Sequence, residues 1–230
     1  MTDLVEPRRV AVVCFDLYGT IVDLAPLDVV CEALAPGRGG PLAARWRARQ
    51  LEASWLRTAM DRWADFDVVT REALDVACAE LDVDPDQEAR AAARRAFIGL
   101  PPRAGAIEGL AELALAGLPL AVLSNGSAAM IEASIRSAAL DGRFEALLSA
   151  DSAGVYKPHR AVYQLATDRF GETPERIGFV TANGWDAAGA AAYGFAVAWL
   201  RPPGAILPAV PGLVPHEASW ETVARQFAFG

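Results

Sequence analysis

Five short, predominantly apolar runs recur along the chain: VAVVCF (10–15), LPLAVLS (118–124), FEALLSA (144–150), IGFVTA (177–182) and FAVAWL (195–200). An unbroken apolar run rich in β-branched residues suits a strand covered on both faces, as in a parallel sheet. Between these runs lie helical periods at 106–117, 129–140, 159–170 and 185–194, and Gly117, Gly171 and Gly194 stand where helix C-caps belong. Strand and helix alternate, so residues 101–230 are expected to form right-handed βαβ units around a parallel sheet.

Residues 22–100 break this alternation. They hold no convincing strand, and PLAARWRARQLEASWLRTAMDRWADF, TREALDVACAEL and DQEARAAARRAFIGL all carry a helical period. The expected fold class is α/β: a Rossmann-like core of residues 1–21 and 101–230, with an all-helical cap domain, 22–100, inserted after the first strand. Loops at the carboxyl ends of parallel strands form the ligand crevice, so such an insertion would cover it. The net charge of −8 argues against nucleic acid or an anionic membrane as partner. The start, MTDLVEPRRV, lacks the order of a secretion signal, no apolar run reaches membrane-spanning length, and the three cysteines lack metal-ligand spacing. A cytoplasmic protein with free thiols is expected.

Polar residues gather after the strands. Strand one is followed by Asp16, Tyr18, Gly19 and Thr20; strand two ends in Ser124, Asn125 and Gly126. Strand three leads to Lys157 and Tyr163, and strand four to Thr181, Asn183, Trp185 and Asp186. Taken singly each has a plain explanation. Asp16 suits a turn, Ser124–Gly126 a helix cap, Lys157 a solvated loop, Asp186 a cap and Trp185 a core position. Together they bring a carboxylate, hydroxyls, an amide and an ammonium to one sheet edge, which is the usual make-up of a site.

FDLYGT, LSNGS, VYKPxxxVY and the FVxxNxWD pattern resemble haloacid dehalogenases of the L-2-haloacid type, and WRARQLEASWLR extends the resemblance into the helical insertion. Most members of that superfamily are magnesium phosphatases with Asp-x-Asp-x-Thr, whose second Asp protonates a departing alkoxide. Here that position is Tyr18, which cannot serve as the acid near neutral pH, and TANGWDAAG offers Asp186 alone. A halide leaves without a proton, and a 2-haloacid carries one negative charge that needs no metal to screen it.

The resemblance therefore implies hydrolysis of an (S)-2-haloacid to an (R)-2-hydroxyacid through an ester on Asp16, without cofactor or metal. Alternatives are fluoroacetate as substrate, a magnesium-dependent phosphatase or phosphonatase, and a partner-binding relative without turnover. By the same resemblance Arg47 and Asn125 receive the halide, while Ser124 and the Leu17–Tyr18 backbone receive the substrate carboxylate. Lys157 keeps Asp16 ionised, and Thr20 and Tyr163 orient these groups. Thr181, Asn183 and Asp186 position Lys157 and the hydrolytic water. Tyr18, Leu51, Phe66 and Trp185 form the apolar wall around the substrate's side chain. Relatives usually have serine at the place of Thr181, and Ala48, Arg49 and Ala53 also depart from their pattern, which bears on substrate range. A homodimer through the insertion is implied, with Trp46, Trp55 and Trp63 available to it.

Overall fold

The computed structural model, which describes residues 10–208 and 215–228, holds one parallel sheet whose first five strands are joined by four helical crossovers. The amino-terminal stretch read for a secretion signal lies mostly outside the described residues. The strands are β1 (Val12–Phe15), β2 (Leu120–Ser124), β3 (Ala146–Ser149), β4 (Ile177–Thr181), β5 (Ala196–Trp199) and β6 (His216–Glu217), in the order β3-β2-β1-β4-β5-β6. β1, β2 and β4 are buried along their whole length, as their unbroken apolar runs require. Phe15 pairs with Val122 on one side and Val180 on the other, so β1 is central and Asp16 emerges where the chain order reverses, the place such sheets hold ligands.

Four helices lie between β1 and the second half of the sheet: α1 (Leu27–Leu34), α2 (Gly39–Ala59), α3 (Phe66–Glu80) and α4 (Gln87–Ile98). The apolar stripe of α2 buries Leu42, Trp46, Gln50 and Ser54, four residues apart, against its neighbours. α3 and α4 begin at Asp65 and Asp86, whose carboxylates accept from the backbone N–H of Asp67 and Ala89. The helical period of 41–66 is not carried by one helix: α2 stops at Ala59. Asp61 adopts φ 54°, and Asp65 then caps a new helix, so the turn chemistry of the two aspartates outweighs the periodicity.

The remaining helices flank the sheet: α5 (Ala106–Leu115), α6 (Ala128–Ser137), α7 (Arg160–Phe170), α8 (Gly184–Tyr193) and α9 (Val223–Ala228). β6 and α9 were not expected from sequence. They close on the sheet through Trp220, stacked on Phe15 at 6.0 Å, and through Phe227, which lies over Gly178. A Cβ at Gly109 would lie 2.6 Å from the Trp220 ring, so glycine there admits α5 to this contact.

Where the chain leaves the sheet for α1 and where it returns, its two segments are paired. Asp23 N–H donates to Pro101 O at 2.8 Å and Arg103 N–H to Ile21 O at 2.8 Å. The Arg103 side chain adds a bond to Gly19 O at 2.7 Å. No described helix is long and apolar enough to cross a membrane, and Cys14, Cys31 and Cys78 are buried free thiols. Trp46 is buried, its Nε1–H donating to Thr70 O at 2.8 Å, which removes it from any surface between copies. Trp55 and Trp63 remain partly exposed.

Candidate active site

Asp16 follows the last residue of β1 and is 6% exposed, with three side-chain donors around it. Lys157 Nζ donates to Oδ1 at 3.2 Å; Thr20 Oγ1 and Asn183 Nδ2 donate to Oδ2 at 2.9 and 2.7 Å. Oδ2 is thus held by two donors, while Oδ1 faces only the ammonium and keeps a lone pair for another partner. Thr20 also accepts from Ala182 N–H, and Asn183 also donates to Tyr18 O at 3.2 Å, which ties the ends of β1 and β4 together.

Lys157 is fully buried between two carboxylates, its Nζ also donating to Asp186 Oδ2 at 2.9 Å. Burial alone would disfavour its ammonium, but Asp16 and Asp186 reverse this and leave its pKa above the ordinary lysine value. Its backbone N–H donates to Asn125 Oδ1 at 2.8 Å, and its ammonium sits 5.0 Å from the Phe179 ring centroid. Asn125 Nδ2 has no protein partner among the described residues.

Asp186 lies in the first turn of α8, where its charge is favoured, and is fully buried. Burial, reinforced by Asp16, pushes its carboxyl up to about 6, against the opposing pull of Lys157 and of Tyr163, whose hydroxyl donates to Oδ1 at 2.7 Å. Burial, with Asp186 beside it, drives the Tyr163 phenol well above its ordinary value, so it acts as a fixed donor. A Cβ at Gly189 would lie 2.5 Å from Tyr163 Oη and 2.6 Å from Pro158 Cβ. Gly189→Ala is therefore expected to destabilise the protein by about 1–3 kcal/mol, read as a lowered melting temperature. It should also lower kcat, because the displaced phenol is the one that holds Asp186.

Tyr18 is 2% exposed and bonded through its hydroxyl to Ser134 Oγ at 3.1 Å. Burial pushes its phenol up to about 12, despite the Ser134 bond and the nearby Arg47. It is no proton donor at neutral pH. Its ring packs on Phe97 at 4.8 Å and on Phe66 at 6.4 Å. Arg47 is half-buried on α2. Burial lowers its guanidinium's proton affinity, opposed by Asp16, Tyr18 and Asp186.

The structure thus brings Asp16, Thr20, Lys157, Tyr163, Asn183 and Asp186 into one hydrogen-bonded cluster. Asn125 bonds to the Lys157 N–H and Tyr18 O to Asn183, Phe66 packs on Tyr18, and Leu17 is fully buried beside Asp16. Ser124, also buried, accepts from Gly126 N–H at 3.1 Å. Thr181 Oγ1 turns back onto Asn183 N–H at 3.1 Å and has no bond to Lys157, because a hydroxyl at a strand end readily caps the next peptide. Leu51 is half-buried on α2. Trp185 packs edge-on against Trp55 at 5.7 Å and lines an apolar groove of about 630 Å³ with Tyr156 and Pro158; neither Asp16 nor Arg47 lines that groove. Sequence reading passed over Gln50, Thr70, Ser134 and Phe179. Only Gln50 carried a signal, as a polar residue four places after Trp46 on the buried stripe of α2.

Residues 10–194 match the family model described as "Hydrolase: haloacid dehalogenase-like hydrolase". An (S)-2-haloacid dehalogenase from Pseudomonas sp. (strain YL) is 41% identical over 189 residues, covering 82% of each chain. One from Pseudomonas putida is 37% identical over 194 residues, 84% of this chain and 86% of that one. A solved L-2-haloacid dehalogenase from Xanthobacter autotrophicus with chloropropionic acid covalently bound superimposes with TM-score 0.85 at 34% identity, covering 94% of this chain and 97% of that one.

Proposed function

This chain belongs to the haloacid dehalogenase-like hydrolase family, and from that premise we propose that it is an (S)-2-haloacid dehalogenase. The observation that carries the reading is the pairing of Asp16 with the buried Lys157 ammonium, while Tyr18 fills the place from which a phosphatase would protonate its leaving group. Asp16 Oδ1, the oxygen with a free lone pair, attacks C2 of the substrate from behind the carbon–halogen bond. The halide departs with the bonding electrons and configuration inverts. Arg47 and the free Nδ2 of Asn125 take the halide; the Leu17–Tyr18 backbone and Ser124 take the substrate carboxylate.

In the resulting ester Oδ2 is the carbonyl oxygen, and it already faces Thr20 Oγ1 and Asn183 Nδ2. Water adds to that carbonyl carbon, giving its proton to Asp186, and the negative charge formed on Oδ2 meets two donors already in place. Such donors are worth about 3–4 kcal/mol each in comparable oxyanion sites. Collapse expels the hydroxyacid oxygen, which takes the proton from Asp186, and the carboxylic acid left on Asp16 gives its own proton to solvent, restoring the carboxylate. The helices of 22–100 act as the cap that keeps bulk water from this ester, with Tyr18 and Phe66 supplying the apolar wall.

The test is halide release from each enantiomer of 2-chloropropionate in the presence of a chelator. The expected outcome is turnover of the (S) form alone, with (R)-lactate as product; dependence on added Mg²⁺ would refute the mechanism. Two copies are proposed to pair through the exposed Trp55, Leu56, Met60 and Trp63 at the end of α2. Sedimentation at two concentrations is expected to give twice the chain mass, and Leu56→Glu to halve it.

A further inference from the structure

α2 carries four arginines, and three of them are neutralised by carboxylates. Arg45 and Arg49 meet Glu80, Arg49 also meets Glu52, and Arg57 meets Glu72. Arg47 differs. Its Nη1 donates to an uncharged acceptor, Gln50 Oε1, at 2.5 Å, and it forms no ion pair among the described residues. Gln50 is fully buried, and its Nε2 donates to Thr70 Oγ1 at 2.6 Å. The Thr70 hydroxyl in turn donates to Phe66 O at 2.6 Å.

The last link sets the direction of this relay. A carbonyl only accepts, so Thr70 must donate to it and can then only accept from the amide. That turns the Gln50 oxygen toward Arg47; the opposite amide orientation would set donor against donor at Arg47 and acceptor against acceptor at Thr70. The relay is anchored on the backbone of Phe66, the residue that packs on Tyr18.

We infer that Gln50 is a positioning residue for the halide-side cation: it holds the Arg47 guanidinium in place through a neutral amide and so leaves its charge for the departing anion. The inference rests on the reading of Arg47 given above. A carboxylate at this position would hold the guanidinium but compete with the halide. With no partner at all, a long side chain would have to give up its rotamer freedom each time an anion arrives.

The experiment measures kcat/KM for (S)-2-chloropropionate and inhibition by bromide in Gln50→Met, Gln50→Glu, Thr70→Val and Thr70→Ser, with Gln50→Met repeated in an Arg47→Lys background. Gln50→Met is expected to lose about tenfold in kcat/KM, the scale of one hydrogen bond to a charged group, and to weaken bromide inhibition in parallel. Gln50→Glu should lose more, and regain activity as pH falls and the introduced carboxyl is protonated. Thr70→Val should show part of the loss and Thr70→Ser recover it, which keeps the inference testable if Gln50 variants fold poorly. In the Arg47→Lys background, Gln50→Met should add less than about twofold, because the two act as one unit. Full additivity, or unchanged bromide inhibition in Gln50→Met, would overturn the inference. An Arg47→Lys enzyme with wild-type kcat/KM and bromide inhibition would instead overturn the reading of Arg47 itself.

Discussion

Asp16→Asn is expected to abolish halide release, lowering kcat by about four orders of magnitude or more, as the loss of a nucleophile does elsewhere. The amide oxygen is too weak a nucleophile to displace chloride, and the other carboxylate of the cluster does not replace it: Asp186 is fully buried, with its oxygens held by Lys157 and Tyr163. The three donors to Asp16, from Lys157, Thr20 and Asn183, make the substitution a structural perturbation, because an amide offers one oxygen where the carboxylate offered two. A cost of about 1–3 kcal/mol follows from the donor left unmatched. Halide release should therefore be measured alongside a melting curve that shows the variant folded. A folded variant retaining more than a hundredth of the wild-type rate would mean that another group forms the bond to carbon.

Lys157→Met carries the second large effect, and it strikes stability as well as rate. The substitution fills a similar volume but leaves Asp16 and Asp186 buried with no cation between them. Removing one partner from a buried ionic group costs about 3–5 kcal/mol. In a chain of this length that corresponds to a fall of about 10 °C in melting temperature. The pH dependence identifies the cause.

Burial already holds the Asp186 pKa up to about 6 in the folded protein, above the ordinary value of 3.8. Between those values the folded state binds more protons than the unfolded one, so this group's contribution to stability is lost as pH rises. Lys157, more than Tyr163, pulls the Asp186 pKa down, so its removal extends the window upward. The deficit of the variant relative to wild type should be largest near pH 8 and shrink toward pH 5. A deficit independent of pH would mean that Lys157 matters through packing alone.

The central elements were legible in the sequence because each obeyed a single strong constraint. β1, β2 and β4 are buried on both faces and so could be written only in apolar residues. The polar residue at each of their ends then stands out, which is why Asp16, Ser124 and Thr181 can be placed on one edge from the sequence alone. Lys157 and Asp186 came from loops and helix starts, where their types alone say little; only their company pointed to a site. Three features escaped for physical reasons. The break at Asp61 depends on a backbone conformation that interrupts an otherwise helical period. β6 is two residues long, too short for any alternation to show. Trp46, by contrast, looked available for a partner chain, but its indole nitrogen finds Thr70 O within its own fold, a contact between helices that no local pattern encodes.

The paired segments at Asp23–Pro101 and Ile21–Arg103 mean that the helical excursion starts and finishes at almost one point on the sheet. A stretch of chain joined this way behaves like a pouch on a drawstring: its contents can lengthen, shorten or be rewritten without rethreading a strand. A change of length within α1–α4 therefore leaves the ends of β1 and β4, and the Asp16–Lys157–Asp186 hydrogen bonds between them, where they are.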